Sequence, residues 1–94
     1  MLKKTWYVYI LQCCDKTLYT GITIELKRRL EEHNSSDKKG ARYTRTRRPV
    51  KLVYYEIAES RGEAMKRERA IKKMEKSSKI RLITRRSCTP KVCR

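Results

Sequence analysis

Phenylalanine is absent from this 94-residue sequence, and tryptophan and histidine occur once each. Glycine and proline are scarce, at three and two residues, which excludes a collagen-like repeat or a long flexible linker. No apolar run approaches the roughly 20 residues needed to cross a bilayer, and nothing resembles a signal peptide. No strongly amphipathic basic helix carries bulky aromatics on its apolar side, so a membrane partner is not expected and the chain is read as cytoplasmic. Acidic residues are few: 10 Asp and Glu stand against 26 Lys and Arg, for a net charge of +16 and a pI near 10.1. Leu, Ile and Val supply only 18 of the 94 residues, a composition that by itself suits a disordered chain. Their distribution argues otherwise, because they gather into short periodic segments separated by polar stretches. The length supports one folded domain, residues 1–86, followed by a basic mobile tail, 87–94.

What the sequence has in excess is positive charge, and it is blocked. Lys38, Lys39, Arg42, Arg45, Arg47, Arg48 and Lys51 follow one another without an acidic residue, and the stretch from Lys76 to Arg94 repeats the pattern. A solvated surface usually mixes signs, so two single-sign blocks point to a polyanion, nucleic acid above all. The four cysteines, Cys13, Cys14, Cys88 and Cys93, match no zinc spacing. Adjacent residues on a strand point to opposite faces, so Cys13 and Cys14 are poorly placed to share a metal and are read as inert thiols.

Residues 5–13 and 18–22 read as two strands, rich in Trp, Tyr, Val and Ile, forming a hairpin about "CDKT". A two-residue loop at Asp15 and Lys16 would pair Gln12 with Tyr19 and separate Tyr9 from Tyr19. A three-residue loop, Asp15 to Thr17, would pair Cys13 with Tyr19 and bring Tyr7, Tyr9 and Tyr19 to one side. Thr23 can cap a helix over 24–33 that buries Leu26 and Leu30, with Arg29 and His33 one turn apart. Residues 34–49 have loop composition, and "KLVYYEIA", 51–58, is a third strand. Ser60 and Glu63 form an S-x-x-E capping box opening a helix to about Lys76. A shorter helix follows from Ser78, carrying Ile80 and Ile83 inward. The expected fold is α+β: a small three-stranded, mainly antiparallel sheet flanked by helices, in the order β-β-α-β-α-(α).

On the long helix Ala64, Met65 and Ile71 make an apolar stripe, and Glu68 falls within it. A carboxylate there is costly unless it is paired or binds a cation. A structural ion pair is the plain reading and a metal ligand the functional one. Each strand tyrosine taken alone is a core residue with its hydroxyl at the rim.

Taken together these residues match a known pattern. Tyr7-Val8-Tyr9 and Tyr19-Thr20-Gly21 stand as two triplets with Tyr19 ten positions after Tyr9. Arg29 lies ten beyond Tyr19, His33 four further, and Glu68 sits in "EAMKRERAIKK". The chain resembles the GIY-YIG nuclease superfamily, most closely its small single-domain members, over roughly residues 5–85. The first triplet lacks the family's glycine and isoleucine, and the second has threonine for isoleucine. Spacing, the downstream Arg, His and Glu, and the block "GARYTRTRRPVKLVYYE" carry the resemblance.

The resemblance implies a divalent-metal-dependent endonuclease, with Tyr7, Tyr9, Tyr19, Arg29, His33 and Glu68 as the catalytic set. Glu68 would hold one Mg2+ (or Mn2+) acting as Lewis acid. Arg29 would neutralise charge on the phosphate. Tyr9 or Tyr19 would position or deprotonate water, with neighbouring cations favouring the phenolate, or His33 would carry the proton. Lys39, Arg42, Tyr43, Arg45, Arg47 and Arg48, with Lys72 on the long helix, are the nucleic-acid-binding candidates. Phosphate contacts carry no sequence information, and no helix-turn-helix or zinc finger accompanies them. Weakly specific or structure-selective cleavage of DNA, or targeting by a partner protein, is therefore expected. The alternatives are a basic nucleic-acid-binding module that keeps the fold without cutting, and a small protein that binds structured RNA.

Overall fold

The computed structural model describes residues 5–36 and 38–87. Strand β1 (Trp6–Gln12) lies between β2 (Leu18–Thr23) and β3 (Lys51–Ala58) in the sheet order β2-β1-β3, antiparallel to both. Helix α1 (Leu26–Ser35) and the single turn α2 (Arg42–Arg45) fall between β2 and β3; α3 (Arg61–Lys72) and α4 (Lys76–Ser87) follow. This is the expected α+β architecture and element order.

Val8, Tyr9, Ile10 and Leu11 are all buried, because the central strand is covered on both faces. On one face Val8, Ile10 and Tyr54 pack with Ala64 and Ile71 of α3 and with Leu82 and Ile83 of α4. On the other, Tyr9, Leu11, Cys13 and Val50 pack with Leu26 and Leu30 of α1. The register passes from Ile10↔Tyr54 to Leu11↔Leu52, leaving Val53 as the extra residue of a bulge.

The hairpin turns one residue earlier than expected. The Cys13 N–H donates to Thr17 O (2.8 Å), the Lys16 N–H donates to Cys13 O (2.9 Å), and Lys16 takes a left-handed φ of 72°. These bonds enclose a three-residue loop, Cys14 to Lys16, with the left-handed residue in its usual third place. Tyr19 therefore pairs with Leu11 and not with Cys13, and Tyr9 pairs with Gly21. Neither expected register is the one observed: the pairing is two positions from that of the Asp15–Thr17 loop and one from that of the two-residue loop, so Tyr7, Tyr9 and Tyr19 share a face as the former implied.

Other boundaries also shift. The first helix starts at Leu26, two residues late, because Thr23 Oγ1 accepts the Glu25 N–H (3.1 Å) in a local turn. The 34–49 segment is not all loop, since α2 makes one turn within it. The helix capped by Ser60, whose Oγ accepts the Glu63 N–H (3.1 Å), ends at Lys72, and the last helix begins at Lys76 instead of Ser78. Two residues expected inside lie outside: Met65 is 37% exposed and Ile80 47%, each on the shoulder of its helix. The 87–94 tail falls, beyond Ser87, outside the described residues.

Candidate active site

Gly21 makes room for the centre of the site. A Cβ there would stand 2.5 Å from the Tyr9 hydroxyl oxygen, 2.7 Å from its Cζ and 3.2 Å from Tyr19 Cε2. With only hydrogen at that position, the Tyr9 ring lies across β2 and extends its hydroxyl to His33 Nε2, 2.9 Å away. His33 comes from the last turns of α1 and is fully buried, as is Thr44 of α2, whose Oγ1 lies 2.9 Å from Nδ1. Thr44 Oγ1 already donates to Ala41 O (3.0 Å), so it accepts from Nδ1–H and leaves Nε2 to accept the Tyr9 proton. The opposite tautomer would exchange one of these bonds for the longer approach of the Ala41 N–H to Nδ1, at 3.4 Å.

Tyr19 completes the cluster through ring contacts. Its centroid lies 5.1 Å from His33 and 6.4 Å from Tyr9, and the exposed Tyr43 stacks on it at 6.0 Å and 24°. The Arg47 guanidinium sits 4.1 Å above the Tyr43 ring, giving the layered order Arg47, Tyr43, Tyr19, His33. Arg47 also bonds Asp15 (3.1 Å), which ties the hairpin tip to α2.

Arg29, on α1, is held by Glu32 (3.0 Å) and by the Lys39 carbonyl (2.5 Å). Burial works against its charge, but the Tyr9 hydroxyl and Glu32 beside it more than compensate, and its pKa is raised. Glu68 is partly buried on α3 and bonds Lys72 one turn on (3.2 Å), and its charge reaches Tyr9. The rotation of α3 that places Glu68 there is fixed by its neighbour. Arg67 Nε donates to Glu56 (2.8 Å) on β3, and Tyr54 donates to the same carboxylate (2.5 Å).

Protonation states follow from burial. Desolvation pushes Tyr9 up to about 12; Arg29 pulls the other way without prevailing, and Tyr19 and Glu68 add to the rise. Among the protein's own groups, removing water from a Tyr9 phenolate costs more than Arg29 returns. His33 is pushed down to about 4 by burial and then by Arg29, with Arg48 adding and Glu32 opposing. At neutral pH Tyr9 keeps its proton and His33 is neutral.

Tyr9, Tyr19, Arg29, His33 and Tyr43 thus come together, with Glu68 and Lys72 at their margin. Tyr7 does not join them; it packs edge-on against Tyr55 (5.9 Å) further along the same face. Arg48 donates through Nε to His33 O (2.7 Å) and through Nη2 to Ser36 O (3.0 Å), binding the end of α1. Arg42 and Arg45 are exposed on α2, as is Lys39, and Cys13 and Cys14 are free thiols. Thr44 and Gly21 were not among the candidates. Gly21 closes the second triplet, but Thr44 carries no local signal, since its role exists only once α2 folds over α1.

Residues 5–81 match the family described as the GIY-YIG catalytic domain. The chain belongs to the GIY-YIG family. A UPF0213 protein of Desulfotalea psychrophila is 58% identical over 81 residues, 86% of this chain and 73% of the relative. A UPF0213 protein of Syntrophus aciditrophicus is 57% identical over 77 residues, 82% of this chain and 87% of the relative. Two solution NMR structures are similar. The UPF0213 protein of Bacillus halodurans has a TM-score of 0.57 at 38% identity, covering 90% of this chain and 88% of that one. A protein of E. faecalis has 0.58 at 47% identity, covering 87% and 86%. The second GIY-YIG triplet has a physical reason here: its glycine is the space in which Tyr9 reaches His33.

A divalent ion is tested against the residues present. Among the described residues no group of three or more His, Cys, Asp and Glu comes together. Mg2+ does not require one, since it is commonly held by one or two carboxylates together with water and substrate phosphate. Glu68 suits that role: its bond to Lys72 is a partly exposed i, i+4 pair, the kind worth about 0.3–0.5 kcal/mol, which a divalent ion can displace.

Proposed function

We propose that this chain is a divalent-metal-dependent endonuclease that hydrolyses phosphodiester bonds in DNA, with structure-selective or weakly sequence-specific cleavage. The observation that carries the reading is the buried Tyr9–His33 hydrogen bond set beside Tyr19 and a charged Arg29.

Each residue has a task that its surroundings support. Tyr9, with its proton engaged by Nε2 and Arg29 hydrogen-bonded to its oxygen, keeps one lone pair to accept from a water. As that water attacks, Tyr9 takes its proton and passes its own to His33, so no free phenolate is required. His33 is neutral and Thr44 fixes the tautomer that leaves Nε2 ready to receive. Arg29, anchored by Glu32 and Lys39 O, stabilises negative charge growing on the phosphate. Tyr19 and Tyr43 offer stacked aromatic surface to a sugar or base. Glu68 would hold the ion, which when bound supplies Lewis-acid polarisation of the phosphate and support for the leaving oxygen. Nucleic acid as partner also fits the +16 charge.

The Glu68–Lys72 pair favours a second reading, a binding module without cleavage. One experiment separates them: wild type and Glu68→Ala against labelled single-stranded DNA, duplex, flap, branched junction and RNA, with Mg2+, Mn2+ or EDTA at fixed low salt. Metal-dependent cleavage of DNA substrates, lost in the variant, is the expected result. Equal binding by both proteins with no cleavage in any metal establishes the module.

A further inference from the structure

Three cavities run end to end from the tyrosine cluster around the hairpin. The first, about 190 Å³, is bounded by Tyr19, Thr20, Tyr43, Lys72 and Lys79. It shares Leu18 with a second of about 340 Å³, where Lys16, Lys51 and Lys76 rim a floor that includes Ile80 and Ile83. That one shares Gln12, Lys16 and Lys51 with a third of about 220 Å³ beside Cys14 and Pro49. None of the described residues bounding the three is acidic.

Five lysines therefore line one continuous trench, and among the described residues only Lys72 has an ion-pair partner. A run of lysines without counter-charge makes a surface of positive potential, which attracts a polyanion. A further observation points to a ligand. The Thr20 hydroxyl is buried without a hydrogen-bond partner among the described residues, on a side chain that bounds the first cavity. In the basic segment across the site, by contrast, Arg47 is committed to Asp15 and Tyr43, and Arg48 to His33 O and Ser36 O.

We propose that the lysine trench between β2, the hairpin tip and α4 is the track along which a polynucleotide backbone leaves the cleft at Tyr19 and Tyr43. The inference rests on the reading of this chain as a nucleic-acid enzyme and names where that substrate lies. Phosphates meet Lys72 and Lys79 first, then Lys76, Lys16 and Lys51. The apolar floor of Leu18, Val53, Ile80 and Ile83 receives sugar and base faces, which accounts for an isoleucine 47% exposed on α4.

The test is binding without cleavage. Fluorescence anisotropy of a labelled DNA single strand and of its duplex, in EDTA between 50 and 200 mM salt, compares wild type with two quadruple variants. One replaces Lys16, Lys51, Lys76 and Lys79 with Gln; the other replaces the exposed Lys27, Arg61, Lys66 and Arg69, which lie off the trench. At about 0.7–0.9 per phosphate contact, the trench variant is expected to lower the log–log salt slope by about 3 and to weaken binding at least about 30-fold at 100 mM salt. The control changes the slope by less than about 1. If the quadruple variant fails a thermal-melt check, the four single substitutions are each expected to remove about 0.7–0.9 of slope. Equal losses in the two variants, or no binding by wild type, overturn the trench. Loss of slope in the trench variant alone, with no cleavage by wild type in any metal, would leave the trench standing and remove the nuclease reading. Normal cleavage with equal losses would do the reverse.

Discussion

The Tyr9 hydroxyl and His33 Nε2 lie 2.9 Å apart between two buried side chains, one carried by the central strand and the other by α1, 24 residues further along the chain. Each controls the other. Without His33 the phenol would be a buried donor with no acceptor, and without Tyr9 the imidazole would be half satisfied.

Tyr9→Phe and Tyr19→Phe should therefore part company. The first leaves Nε2 buried and unpaired, at a cost of about 1–3 kcal/mol, or roughly 4–8 °C of melting temperature per kcal/mol for a domain of this size. Tyr19 makes only ring contacts among the described residues, so Tyr19→Phe should melt within about 3 °C of wild type. Tyr9→Phe should lose cleavage, whereas Tyr19→Phe keeps the ring that stacks and should retain most of it. Circular dichroism melts beside the cleavage assay decide it, and full activity in both would remove tyrosine from the mechanism.

Stability should fall on mild acidification. His33 has a folded pKa near 4 against 6.5 when exposed, so between these values the unfolded chain binds the extra proton. The stability contributed by keeping His33 neutral is complete above about pH 6.5 and is lost as pH falls towards 4, at most roughly 3 kcal/mol. Urea melts between pH 7 and 5, above most carboxylate titrations, should show this slope in wild type and lack it in His33→Asn. Tyr9 acts at the other end: with its pKa near 12, its contribution is lost between about pH 10 and 12.

Gly21→Ala should destabilise the domain by about 1–3 kcal/mol, since the new methyl falls 2.5 Å from the Tyr9 oxygen. Adding Tyr9→Phe removes that oxygen but not Cζ, so the double variant should cost less than the sum of the two singles. A double-mutant cycle measured by denaturant unfolding reads the coupling, and strict additivity would show that the two positions do not meet.

The arginines of the basic segment should separate into scaffold and surface. Arg48→Ala breaks bonds to two carbonyls at the end of α1 and is expected to cost about 1–2 kcal/mol in thermal unfolding. Arg42→Ala and Arg45→Ala, both exposed, should leave the melting temperature within about 2 °C and act only on nucleic-acid affinity. A thermally silent Arg48→Ala would return that residue to the surface set.

Replacing Glu68 with Gln should abolish metal-dependent cleavage while shifting stability by no more than about 0.5 kcal/mol, because the pair with Lys72 is half in solvent. Lys72→Gln serves as the comparison. If it reproduces the loss without altering the metal titration of the remaining activity, the pair itself and not the carboxylate is what matters.

Local pattern set most of the elements and the charge. The run "KLVYYEIA" gave β3 its bounds at Lys51 and Ala58, the Ser60 cap began α3, and the blocked lysines and arginines called for a polyanion. Those features depend on neighbours within a few residues. Whether Tyr9 and Tyr19 share a face stayed open between two hairpin registers of opposite parity, and the pairing observed is neither of them. Tertiary structure alone decided that Tyr7 stands apart with Tyr55, that Thr44 orients His33, that Arg48 serves the end of α1, and that the lysines of the hairpin tip, β3 and α4 form one trench. The protonation of Tyr9 and His33 follows from burial, and the segments that bury them come from distant parts of the chain, which no local pattern records.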